Sequence, residues 1–218
     1  MTRRAEPAAA GRGVKRAAVV VVTAEPSPAC PPGIDPVEFR LAMAEDVYET
    51  AAGLCLSDTA LACCADAEFA ERVAEFTWPG TPVFPVRAAA PLPDACAVLA
   101  DHGVDHAVFL AGDAPDLPPL LVGKLFRALG SAEAALSPAH GGGLTALAVR
   151  LPPPGWLPVA TLDRPDAVQA LAAARPTGRS LAAVPGWHRV RGPGDLAALD
   201  PGLEGWEATR ALLAADGR

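Results

Sequence analysis

Residues 108–129 read VFLAGDAPDLPPLLVGKLFRAL, and the fold follows from how this stretch divides. Ala107, Val108, Phe109 and Leu110 form an apolar run with the length of a buried strand. The run stops at Ala111-Gly112-Asp113. Pro115 and the Pro118-Pro119 pair cannot continue a strand, but they suit the entry into a helix. Leu121, Leu125 and Leu129 then recur every fourth residue, with Val122 and Phe126 beside them, which makes one apolar face of a helix. The unit is strand, acidic turn, helix. In an open α/β sheet, ligands bind beyond the carboxyl ends of the strands, and Asp113 falls there. A carboxylate in that place can hold a divalent cation against phosphate oxygens. Asp116 reads as the N-cap of the helix. Strand-ending chemistry does not require Gly-Asp before Ala-Pro, so Asp113 reads as a site residue.

The rest of the chain repeats the alternation. An AAVVVVT run at 17–23 suits a central strand covered on both faces. A proline-rich loop follows, and Asp35-Pro36-Val37-Glu38 then combines a capping Asp, a first-turn Pro and an acidic third position. The helix it opens carries Phe39, Met43 and Val47 on one face and stops at Gly53. Its charged residues Glu38, Arg40, Glu45, Asp46 and Glu49 read as a solvated face. Strands are expected at 59–64, 82–86, 134–136, 144–149 and 180–184. Helices are expected at 66–76, 94–100, 163–174 (capped by Asp163), 195–199 and 204–214. Strand and helix in turn predict an α/β fold, a three-layer α/β/α sandwich with a mostly parallel, mixed sheet. Residues 1–16 read as a disordered basic tail and 17–218 as a single domain.

Composition narrows the function. The net charge is −7, which argues against a nucleic-acid binder, whose affinity comes largely from clustered Lys and Arg. No run approaches the roughly 20 apolar residues of a membrane span, and the chain reads as cytoplasmic. The five cysteines contain no CxxC pair, so neither a disulfide framework nor a zinc site is expected. His102 and His106 stand four apart, but Gly103 breaks the helix between them, and they read as turn residues. The glycine run 141–143 could let backbone approach a phosphate. A strand follows it where a phosphate loop would have a helix, so a plain strand connection is the reading from spacing.

Five segments together resemble a known pattern: VVVVTAEPSP at 19–28, GIDPVEFRLAMAEDVYETAAGL at 33–54, FLAGDAPDLPPLLVGKLFRAL at 109–129, ALSPAHGGGLTALAV at 135–149 and VPGWHRVRGPGDLAAL at 184–199. In order and content they resemble the bacterial glycosyltransferase-A-like family of the nucleotide-diphospho-sugar transferase superfamily, relatives of the molybdenum-cofactor and phospholactate guanylyltransferases. The resemblance implies a glycosyl- or nucleotidyltransferase acting on a nucleoside-diphosphate sugar or nucleoside triphosphate, with Mg²⁺ or Mn²⁺ held by Asp113. It places Thr23, Ala24, Glu25, Pro26 and Asp113 on the nucleotide. It places Asp116, His140, Gly142, Gly143, Arg189 and Arg191 on the acceptor or phosphate side. The implied partner is a nucleotide or nucleotide-sugar. The chain departs from the pattern at three places. Family members carry Gly-x-x-Lys-x-Arg after the first loop, where Ala29-Cys30-Pro31-Pro32-Gly33 stands here. Gly141 replaces an acid, and Arg189 and Arg191 replace the acids of a second metal-binding segment. Two readings follow: the arginines neutralise a diphosphate in place of the metal, or the chain is a degenerate, non-catalytic nucleotide-binding or interaction module.

Overall fold

The computed structural model describes residues 13–216 apart from 24, 65 and 159. Most of the expected tail therefore lies outside the described residues. Arg16, counted with that tail, already pairs with His106 in the sheet.

The elements run β1 (Arg16–Thr23), α1 (Pro36–Ala52), β2 (Asp58–Cys64), α2 (Ala67–Glu75), β3 (Val83–Pro85), α3 (Pro91–Asp101), β4 (His106–Ala111), α4 (Pro119–Ala128), β5 (Ala134–Pro138), β6 (Leu144–Arg150), α5 (Ala167–Ala174), β7 (Leu181–Ala183), a 3-10 turn (Pro193–Ala198) and α6 (Glu207–Asp216). The seven strands form one mixed sheet in the order β3-β2-β1-β4-β6-β5-β7. β1 pairs in parallel with β2 and β4, and β6 is antiparallel to both its neighbours. The chain leaves β1 towards β2 on one side and later returns to β4 on the other. This is a topological switch point, where a crevice opens at the carboxyl ends of β1 and β4.

Alternation along β1 builds both faces. Val19 and Val21 pack with Leu92, Cys96 and Leu99 of α3 and Leu171 of α5. Val20 and Val22 pack with Leu41, Val47 and Tyr48 of α1, Val73 of α2 and Leu125 of α4. Each such side chain contributes roughly 1.5–3 kcal/mol when fully buried. α1 has a second covered side: Phe39 and Met43 pack with Leu199 and Trp206, and with Leu212 and Leu213 of α6.

That double coverage corrects the reading of α1 as half solvated. Glu38 and Glu49 do face solvent. Asp46 is 3 % exposed and accepts the Ala208 and Thr209 amides at 2.9 Å each, holding the first turn of α6. Arg40 is half-buried at the opposite end of the helix. Other expected boundaries shift as well. α3 starts at Pro91, because prolines suit a first helical turn. α5 starts at Ala167 behind Asp166, so Asp163 is no cap.

Gly112 follows the end of β4 because nothing larger fits. A β-carbon there would stand 2.9 Å from the Val21 carbonyl oxygen of β1. The residue before the acid is therefore fixed by the approach of two strands. Gly112→Ala is expected to cost about 1–3 kcal/mol, as overpacked sites do, seen as a lowered urea midpoint. Asp46 supplies a second expectation. Burial pushes its carboxyl up to about 6 despite the α6 amides. The folded protein thus keeps a proton that the unfolded chain loses near pH 4, and the associated stability, present at low pH, is lost as pH rises through about 6. Stability should fall by up to about 3 kcal/mol between pH 4 and 7 from this group. Asp46→Asn should flatten that part of the profile in urea unfolding.

Candidate functional site at the carboxyl edge

The crevice is built from four loops. At the end of β1, the Thr23 hydroxyl accepts the Glu25 amide at 3.2 Å, which turns the chain outward. Glu25 and Pro26 are exposed, and Ala24 lies outside the described residues. Ser27 is buried and donates to the Val190 carbonyl at 3.3 Å. The Val190 amide donates in turn to the Asp113 carbonyl at 2.7 Å. One backbone step of the 185–192 loop thus joins the first loop to the acidic turn.

The next residue inward is Arg189, 6 % exposed. Its Nε donates to Asp113 Oδ1 at 2.5 Å and its Nη2 to Asp113 Oδ2 at 2.9 Å. Nη2 also donates to Asp163 Oδ1 at 2.6 Å. Nη1 donates to the Leu144 carbonyl at 3.1 Å and, at 3.5 Å, to that of Leu162. A guanidinium has five N–H donors, and protein oxygens take them all. Arg189, expected to face a phosphate, is thus committed to the fold. Asp113, expected to hold a divalent cation, has both oxygens on a guanidinium. The residues present do not fit a metal ion at Asp113, because a permanent cation already stands against both carboxylate oxygens. Among the described residues no group of three or more His, Cys, Asp or Glu could hold one elsewhere.

Asp163, read from the sequence as a helix cap, is thereby a member of the site. Its side chain is 52 % exposed. Burial opposes its ionisation, but the Arg189 charge and hydrogen bond outweigh this and hold the carboxyl below its ordinary range.

Two further arginines flank the cluster. Arg40 reaches in from α1, and Thr23, Gly112, Asp113 and Arg189 line the same narrow space. Its Nε is buried with no hydrogen-bond partner. Burial lowers its pKa, against the pull of Asp113 and Asp163. Arg191 is half-buried and donates through Nη2 to the Gly142 carbonyl at 2.8 Å. Burial and the neighbouring Arg189 charge lower its pKa too. Arg40 was legible only as the lone cation on a helix whose other charged residues, Glu38, Glu45, Asp46 and Glu49, are acids.

The glycine run is a tight hairpin between β5 and β6. The Gly142 and Gly143 amides donate to the Ala139 and Pro165 carbonyls at 3.2 Å each, so neither is held out to an anion. At Gly143, φ is +77°, and a β-carbon would stand 2.7 Å from the Leu162 carbonyl oxygen. This close packing brings Leu162 and Asp163 to Arg189. His140 is exposed, its ring 6.5 Å from that of His188.

Asp116 is not the cap of α4, where Pro118 stands without a side-chain bond. It is 3 % exposed and accepts Trp187 Nε1 at 3.0 Å, His188 Nε2 at 2.9 Å and the Asp200 amide at 3.3 Å. Asp113 and Asp116 thus grip the same late loop from one turn. The open space beside the cluster, among Thr23, Glu25, Cys64, Asp163 and Arg189, is about 80 Å³. A larger cavity of about 620 Å³ lies at the opposite edge of the sheet, among Tyr48, Trp78, Phe84 and Leu99. Its lining charges, Lys15 and Asp58, are exposed and 3.8 Å apart. The convergent charges lie at the carboxyl edge, and the candidate site is placed there on chemistry.

No family model and no curated protein matches the chain. Solved structures do. A putative nucleotide-diphospho-sugar transferase from Desulfovibrio desulfuricans G20 superposes with a TM-score of 0.66 at 18 % identity, over 93 % of this chain and 98 % of that one. CMP:2-keto-3-deoxy-manno-octonic acid synthetase complexed with CTP gives 0.57 at 16 % identity, over 93 % and 99 %. Rv0371c from Mycobacterium tuberculosis H37Rv, in complex with manganese, gives 0.53 at 21 %, over 93 % and 100 %. At such identities the likeness is one of fold. The chain has the mixed α/β fold of nucleotide-diphospho-sugar transferases and cytidylyltransferases.

Proposed function

We propose that the carboxyl-edge crevice binds the phosphates of a nucleoside triphosphate or nucleoside-diphosphate sugar, and that the protein is a glycosyl- or nucleotidyltransferase-like protein. The observation that carries this is Arg40, a half-buried guanidinium beside the acidic turn whose Nε has no partner. It supplies the positive charge absent from Ala29-Cys30-Pro31-Pro32-Gly33, from one turn into α1. Arg191, whose Nη2 donates to the Gly142 carbonyl, flanks the cluster beside the glycine hairpin. Transfer of a phosphoryl-linked group depends chiefly on positioning and on stabilising developing charge. In this chain these two arginines would do both, while Asp113, Arg189 and Asp163 hold the wall rigid. The sequence kinship with the guanylyltransferase relatives, and Thr23, Glu25 and Pro26 on the nucleotide side, belong to this reading. So does His140 on the acceptor side.

One observation favours the second reading, a non-catalytic module. The open space of about 80 Å³ is well short of the roughly 300 Å³ or more of ordinary ligand sites, so the crevice as it stands is too small for a nucleotide.

Titration calorimetry with the common nucleoside triphosphates and a set of nucleotide-sugars, in EDTA and in Mn²⁺, tests the binding on which the first reading depends, and mass spectrometry of the same mixtures for transferred product separates an enzyme from a module that only binds. The expected result is binding in EDTA that Mn²⁺ does not tighten. Charge-assisted bonds contribute about 1.5–3 kcal/mol each. Arg40→Ala and Arg191→Ala should therefore each weaken binding tenfold or more, and Arg40→Lys should recover part of the loss. Absence of binding at millimolar nucleotide would overturn the first reading and leave a non-catalytic interaction module.

A further inference from the structure

The oxygens around Arg189 satisfy a buried guanidinium and are also of the kind a hard cation takes. Asp113 supplies two carboxylate oxygens, Asp163 one, and Leu144 and Leu162 one carbonyl oxygen each, all within 3.5 Å of its nitrogens. Hard divalent cations choose carboxylate and carbonyl oxygens of this kind. The convergence is closest at Nη2, where Asp113 and Asp163 meet from loops fifty residues apart, at 2.9 and 2.6 Å. The bidentate pair with Asp113 uses two of the five N–H donors, and a second acid and two backbone carbonyls take the other three. The glycine hairpin that brings Leu162 into place is itself sterically fixed at Gly143.

We infer that Arg189 is a resident cation occupying a divalent-metal position, and that Asp113, Asp163, Leu144 and Leu162 form a latent metal site filled by the guanidinium. The consequence is a site that assembles without metal and does not respond to chelators. A single positive charge replaces two, so the pair of carboxylates keeps one charge that Arg189 does not offset, with Arg40 and Arg191 standing beside it. This holds whether or not a nucleotide binds.

The experiment removes the guanidinium and offers Mn²⁺ in its place. Free Mn²⁺ is followed by electron paramagnetic resonance in titrations of the full chain, wild type and Arg189→Ala. Wild type should leave Mn²⁺ free up to millimolar concentration. Arg189→Ala should take up one Mn²⁺ at least tenfold more tightly, and Asp163→Asn in that background should abolish the gain. Thermal melts provide the readout if the variant is unstable alone: Mn²⁺ should raise the midpoint of Arg189→Ala, and of Arg189→Gln, but not that of wild type. Two results would overturn the inference. One is Mn²⁺ binding by wild type that Asp113→Asn removes. The other is the absence of both uptake and thermal rescue in the two Arg189 variants.

Discussion

The ion pair between Arg189 and Asp113 is the constraint on which the carboxyl edge depends. Removing two charges from water costs several kcal/mol per ion, and mutual attraction offsets this only when every remaining donor and lone pair is satisfied. Arg189 meets that condition through Asp163 and the Leu144 and Leu162 carbonyls. Those partners come from two segments, Leu144 at the start of β6 and the adjacent Leu162 and Asp163 ahead of α5, besides the acidic turn. Four segments distant in the chain are therefore held in register by one guanidinium. The backbone bond from Val190 to Asp113 and the Ser27 bond to Val190 extend the same constraint to the first loop.

The second constraint is the position of α1. A helix that covers only a sheet can keep its outer charges in water, and its pattern shows a single apolar stripe. α1 lies between the sheet and α6, so its flanks are recruited. Asp46 takes over the capping of α6, and Arg40 turns into the crevice. Both roles follow from the packing of Phe39 and Met43 against the C-terminal segment. The cation at the crevice thus stands on a helix whose orientation the distant C-terminal residues help to fix.

This explains what the sequence did and did not disclose. β1 and β4 were legible because a strand buried on both faces must be a continuous apolar run. α1 was legible because Asp35-Pro36 satisfies its first turn locally, as the Asp35 bonds to Val37 and Glu38 confirm. The acidic turn was legible as the feature that ends β4 at the carboxyl edge, but not its contacts. Asp116 and Asp163 had equally good local readings as caps, since a cap is a contact two or three residues away. Their actual partners lie 71 and 26 residues away, and local pattern holds no record of such pairings. Gly112 shows the converse: its necessity is steric, yet its neighbour Val21 belongs to another strand.

The charges of the crevice finally bear on why an arginine can stand at a metal position at all. A divalent ion brings two charges, but it must be bound from solution by ligands already arranged to receive it. A guanidinium arrives with the chain and organises those ligands as the chain folds, at the cost of one unit of charge. Its planar fork matches a carboxylate bidentately, which fixes Asp113 in orientation as well as in charge. It has no open coordination position, however, whereas a metal can add a phosphate oxygen to its shell. Any anion that enters must therefore be met by groups outside the cluster. Arg40 and Arg191 are the cations so placed, each half-buried and each drawn towards Asp113 and Asp163. On the proposed reading, structural neutralisation and ligand neutralisation, which one metal ion can combine, are divided between Arg189 and the pair Arg40 and Arg191.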